Sequence, residues 1–146
     1  MKLIKIILIT VVLMLATKGY AQSVTVIVNN SVNISSIDKS ELQKIYMGKV
    51  ELWGNNIRVI PCYIRPDKNE SGNLFFEKVL EMDLDKFNKA WLKKVFAGYG
   101  TKPNEFTDDN NLIEYVSKTN GAIGFISSSN KVKASSCKVI KTEGIE

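Results

Sequence analysis

The sequence has no histidine, which removes the commonest general base, proton shuttle and metal ligand from any mechanism the chain could run. Cysteine is nearly as scarce. Its two cysteines, Cys62 and Cys137, have no plausible base beside them, so thiol catalysis is disfavoured too. There are three prolines and no Pro-, Ser- or Gly-rich run, so no linker divides the chain, and no internal repeat is present. Basic and aromatic residues do not alternate along any strand, which leaves no nucleic-acid signature. These absences set aside an enzyme, imply no cofactor or metal, and point to a binding protein built as one unit.

What is present begins with an address. Lys2 and Lys5, the apolar run Ile6 to Ala16 and the small-x-small triplet Gly19-Tyr20-Ala21 predict a cleavable export signal over residues 1–21. Its apolar core is too short to span a bilayer comfortably, so no stable membrane insertion is expected after cleavage. The mature domain is then 22–146, periplasmic or secreted. Losing Lys2, Lys5 and Lys18 leaves 17 basic against 15 acidic residues, so the +5 of the full chain overstates the charge of the mature form. About 125 residues suffice for one core and are short for two.

The two cysteines each sit in an apolar, strand-like run. In an exported chain an even pair is consistent with a Cys62–Cys137 disulfide, and equally with two buried thiols on separate strands.

Taken in order, Val24 to Val28 is short and rich in β-branched residues, as in a strand buried on both faces. Asp38 and Glu41 form a capping box ahead of a helix burying Leu42, Ile45 and Tyr46, with Gly48 at its end. Trp53 reads as a hydrophobic plug beneath a turn. Ile57 to Ile64 is a second strand whose Pro61 argues for an edge or a bulge. A helix from Ser71 sends Leu74, Phe75, Val79 and Leu80 inward. Another, Leu84 to Phe96, places Phe87, Trp91, Leu92, Val95 and Phe96 on one apolar stripe, with Lys86, Lys89, Lys93 and Lys94 as its solvated face. Thr107, Asp108 or Asp109 caps the next helix, which buries Leu112, Ile113, Tyr115 and Val116 and stops at Asn120-Gly121. Ala122 to Ile126 and Cys137 to Ile140 are the last strands. About four strands alternating with four helices predict an α/β layered domain with a mixed sheet.

The stretch Arg65 to Phe76 is where the strand gives way to the helix. A helix starting at Ser71 would aim free N–H groups and the positive end of its dipole outward. Ser71 would cap it or offer its hydroxyl, Gly72 would admit an oxyanion to the backbone, and Arg65 would add a fork of donors. The same pattern is also simply a strand-to-helix junction with a serine cap.

Together these landmarks resemble a known family. Asp38 to Leu42 with Ile45-Tyr46-Met47-Gly48-Lys49, Trp53, Arg65 with Ser71-Gly72, Phe96-Ala97-Gly98 and Gly121-Ala122-Ile123-Gly124-Phe125 look like the signatures of phosphate-binding proteins, in register over Val24 to about Gly144. These are the solute-binding components of phosphate ABC importers, in the type II periplasmic binding protein superfamily. The resemblance implies a single lobe of that two-lobed α/β fold, a mixed sheet flanked by helices, and inorganic phosphate or a similar oxyanion as ligand. It implies Arg65, Ser71, Gly72 and the Asn73 backbone as phosphate contacts. The chain departs from the pattern in three places. Asn73 stands where threonine is expected, Pro66 to Glu70 lengthen the Arg-to-Ser interval, and Glu70 adds a negative charge beside the anion. A single lobe also exposes the face its partner would cover, so the alternative is an interaction module, homodimeric or bound to an envelope protein, that keeps the fold without the ligand.

Overall fold

The computed structural model describes residues 23–145, and the export signal expected over residues 1–21 lies outside the described residues. Six strands, β1 (Val24–Val28), β2 (Ser36–Asp38), β3 (Ile60–Ile64), β4 (Asn104–Phe106), β5 (Ala122–Ser127) and β6 (Lys138–Glu143), form one mixed sheet in the order β2-β6-β1-β5-β3-β4. β1 runs antiparallel to both neighbours, while β3 is parallel to β4 and β5, and β2 to β6. The α-helices are α1 (Lys39–Tyr46), α2 (Glu70–Phe75), which runs on as a π-helical turn over Phe76–Leu80, α3 (Leu84–Phe96) and α4 (Asp109–Lys118), and a 3-10 helix, Ser128–Ala134, follows β5. The α/β expectation holds, with two strands beyond those read from the sequence. Both extra strands, β2 and β4, are three residues long and lie at the sheet edges, too short to carry a period-two pattern.

The expected capping box is formed. The Glu41 N–H donates to Asp38 Oδ1 (2.8 Å) and the Asp38 N–H to Glu41 Oε2 (3.3 Å). Fully buried Tyr46 ends α1, donating its hydroxyl to the Cys62 carbonyl at 2.7 Å while packing on Phe75 and Phe125. Burial, ahead of its other neighbours, raises the Tyr46 phenol well above its ordinary range. Phe75 stacks on Phe125 with ring centroids 3.6 Å apart, tying α2 to the sheet. Trp53 is the plug the sequence predicts, buried and donating to the Gly121 carbonyl at 2.9 Å.

Three expectations change. Pro61 lies inside β3, which is flanked on both sides, rather than at an edge. The Ile60 N–H faces β5, bonding Gly121 O at 3.0 Å, so the Pro61 nitrogen faces the other side, where β4 begins only opposite Cys62. No ladder bond is lost there. Leu92, Val95 and Phe96 are exposed, and only Phe87 and Trp91 of the α3 stripe are buried. Helical spacing sets Leu92 about 100° and Phe96 about 140° around the helix from Trp91, on a side that is exposed. Leu74 and Tyr115 are half-buried rather than inward.

Cys62 and Cys137 are both buried free thiols. β5 and β1 separate the strand of Cys62 from the one that follows Cys137, a spacing of roughly 14 Å at the usual interstrand distance and far beyond disulfide reach. Burial pushes the Cys62 thiol up to about 12 and the Cys137 thiol upward as well. Alkylation of the native protein should therefore label neither, and two labels per chain should appear after unfolding. A denatured, unreduced chain that takes no label would reinstate the bridge.

Candidate functional site

β3, β4 and β5 run parallel, so their carboxyl ends lie side by side. In open α/β sheets this edge is where ligands bind. Here it gathers Arg65 after β3, Asp109 just beyond β4 and Ser127 at the end of β5.

The Arg65 backbone is fixed by its N–H to Phe106 O at 2.9 Å. Its guanidinium grips Asp67 with two bonds, Nε to Oδ1 at 2.8 Å and Nη2 to Oδ2 at 2.9 Å, and reaches Glu105 from Nη1 at 3.5 Å. The hydrogen bond from Arg65 holds the Asp67 carboxyl below the usual range, and the same bond raises Arg65. Burial pushes Glu105 up, but the Tyr63 hydroxyl, Lys102 and Arg65 together bring it below its ordinary value. Tyr63, which donates to Glu105, is itself raised, first by burial and then by that carboxylate. Arg65 is thus a cation already matched by two acids.

α2 starts one residue earlier than the sequence reading has it, and its cap is Asn69, not Ser71. Asn69 has the extended backbone of an N-cap (φ −153°, ψ 142°) and its Oδ1 accepts the Ser71 N–H at 2.9 Å. Ser71, one residue into the helix, is 1% exposed. Its Oγ lies 2.6 Å from Asn69 Oδ1 and 2.6 Å from Asp109 Oδ1, so its one proton is committed inside the protein. Gly72 also changes role. A Cβ there would sit 2.4 Å from the Ile64 carbonyl oxygen and 2.8 Å from that of Arg65, so the glycine lets α2 pack on the end of β3. Asn73 is exposed, with its N–H on Asn69 O at 3.1 Å.

The residue the sequence reading missed is Asp109. One of three caps offered by the sequence, it is 4% exposed, and the cap of α4 is its neighbour Asp108, which accepts the Asn111 N–H at 2.9 Å. Asp109 accepts from Ser71 through Oδ1, and from the Ser127 N–H (3.1 Å) and Asn130 Nδ2 (2.6 Å) through Oδ2. Its position in the first turn of α4, in line with the dipole, suits a carboxylate. The only available sequence signal was the doubled aspartate, since one acid suffices for a cap. Chemically, the edge is a cluster of donors whose first anion is internal. An external oxyanion that is to meet Ser71 must displace Asp109, and one that is to meet Arg65 must share it with Asp67.

The sequence matches no protein-family model and no curated protein. Solved structures match its fold. PstS from Borrelia burgdorferi superposes with a TM-score of 0.65 at 15% identity, covering 86% of this chain and 49% of its own. An ABC-type phosphate transport receptor from Vibrio cholerae gives 0.62 at 13% identity over 86% and 48%. A Clostridium perfringens protein solved with bound phosphate gives 0.65 at 18% identity over 86% and 46%. The chain has the α/β fold of these phosphate-transport proteins and spans about half their length.

Proposed function

We propose that the chain is an exported binding module for an oxyanion, phosphate in the first instance, periplasmic or secreted, and that it is not an enzyme. One observation carries this reading: over 86% of its length the chain shares its fold with proteins named for phosphate transport, one of them solved with phosphate bound. The ligand would lie at the carboxyl edge of β3, where the expected contacts are Arg65, Ser71, Gly72 and the Asn73 backbone. It would meet Arg65 by sharing it with Asp67 and Ser71 by displacing Asp109, Gly72 and the Asn73 N–H being occupied by β3 and Asn69. A half-length chain offers one wall of a cleft, so its hydrogen bonds would compete with water unless a second copy or an envelope protein closes over them.

Titration calorimetry with phosphate in phosphate-free buffer, with sulfate for comparison, tests it. Saturable heat is expected, weakened at least about tenfold by Arg65→Ala, because a charge-assisted bond is lost. No heat up to millimolar phosphate would overturn the reading. The internal pairing of Ser71 with Asp109 and of Arg65 with Asp67 favours a second reading, the interaction module that keeps the fold without the ligand. A calorimetric blank together with a concentration-dependent dimer in sedimentation would favour that one.

A further inference from the structure

The exposed end of α3 has no role in the site. Leu92, Val95 and Phe96 recur at i, i+3 and i+4 on the last turns of α3, Tyr99 follows beyond the cap Ala97 and the left-handed Gly98, and the four are 58%, 47%, 84% and 73% exposed. Residues 95–101 are all exposed, and a Cβ at Gly98 or Gly100 would meet nothing within 4 Å, so this protrusion is open to solvent, with Tyr99 and Gly100 also lining a groove beside Gly48 and Trp91. Along the chain the charge here has one sign, while Asp83 and Asp85 at the start of α3 line a surface depression with Lys86, Lys89 and Lys93. From Lys86 to Pro103 the sequence holds five lysines and no acidic residue. Lys89 and Lys93 lie one turn before Leu92 and Phe96, and among the described residues neither is in an ion pair.

We propose that this protrusion docks on an anionic lipid surface, with Phe96 and Tyr99 entering the headgroup boundary and Lys89 and Lys93 facing the phosphates. An exposed apolar tip beside unpaired lysines suits a deformable, negatively charged layer, which needs no pocket shaped to receive it. A second copy fits worse. Pairing two such faces would bring the lysine rows of both copies together, at a cost from like charges. The inference does not depend on oxyanion binding.

The test is co-sedimentation of the protein purified after export, its first residue confirmed as Gln22 so that no leader contributes. Vesicles of phosphatidylcholine alone are compared with vesicles containing roughly one-third phosphatidylglycerol. Binding to the anionic vesicles is expected, at least about tenfold tighter than to the neutral ones and weakened by salt. Phe96→Ser/Tyr99→Ser and Lys89→Glu/Lys93→Glu should each reduce it at least about tenfold while leaving thermal unfolding unchanged, since these side chains are exposed. Equal binding to both vesicle types, no binding, or double variants that bind like the parent would overturn the proposal. So would a concentration-dependent dimer abolished by Phe96→Ser/Tyr99→Ser, which would give the face to a second copy.

Discussion

Gly121→Ala is expected to lower the melting temperature by roughly 12 °C or more, from a loss of about 4 kcal/mol. Gly121 holds φ at +78°, where a side chain is strained, and an added Cβ would fall 1.9 Å from the Arg58 carbonyl oxygen. Relief by local movement is blocked, because the residue is anchored in three directions. Its carbonyl accepts from Trp53 Nε1 at 2.9 Å and from the Ile60 N–H at 3.0 Å, and its N–H donates to Ser31 Oγ at 3.0 Å. Moving Gly121 would loosen the Trp53 plug and the start of β3 together. Gly98→Ala is the control. It has a similar φ of +80° with nothing within 4 Å of the added carbon, so only the left-handed penalty of about 1 kcal/mol applies. Equal melting points for the two variants would refute the steric argument.

Asp109→Ala should cost roughly 3 kcal/mol or more, because it strips a buried acceptor from three donors at once. Ser71 Oγ, the Ser127 N–H and Asn130 Nδ2 come from three separate segments, so the loss would unpin α2, the end of β5 and the turn after it. Asp109→Asn should be much milder, within about 1 kcal/mol. Its remaining oxygen can serve Ser127 and Asn130. Its new amide can donate to Ser71 Oγ, whose own proton then goes wholly to Asn69 Oδ1. Chemical denaturation of both variants measures the difference, and an alanine variant as stable as the asparagine one would show that the network is ornamental to the fold.

Much of the frame was legible because it rests on local chemistry. The Asp38–Glu41 box, the buried Tyr46, the Trp53 plug and the turn at Gly121 each follow from residue types at short spacing. The misreadings came from facts that spacing does not contain. Periodicity in α3 marks a face without saying what covers it, so it puts exposed Leu92, Val95 and Phe96 on one stripe with buried Phe87 and Trp91. β2 and β4 owe their existence to neighbours remote in sequence rather than to their own three residues. At the site, the Ser-Gly pair drew the helix start away from Asn69. The carboxylate that meets Ser71 lies 38 positions further on, and no local pattern pointed from one to the other.

The placement of β1 bears on when the chain can fold. It precedes the other five strands in chain order among the described residues and lies inside the sheet, yet both of its neighbours are late. It pairs with residues 123–127 and 138–140. Contacts so remote must offset a large loop-closure entropy before they contribute, which slows folding and postpones it. Until residues 122–143 emerge, β1 has no partner on either side. For a chain exported as proposed above, that order keeps the early half free of a finished sheet during threading across a membrane, with no stable structure to pull apart.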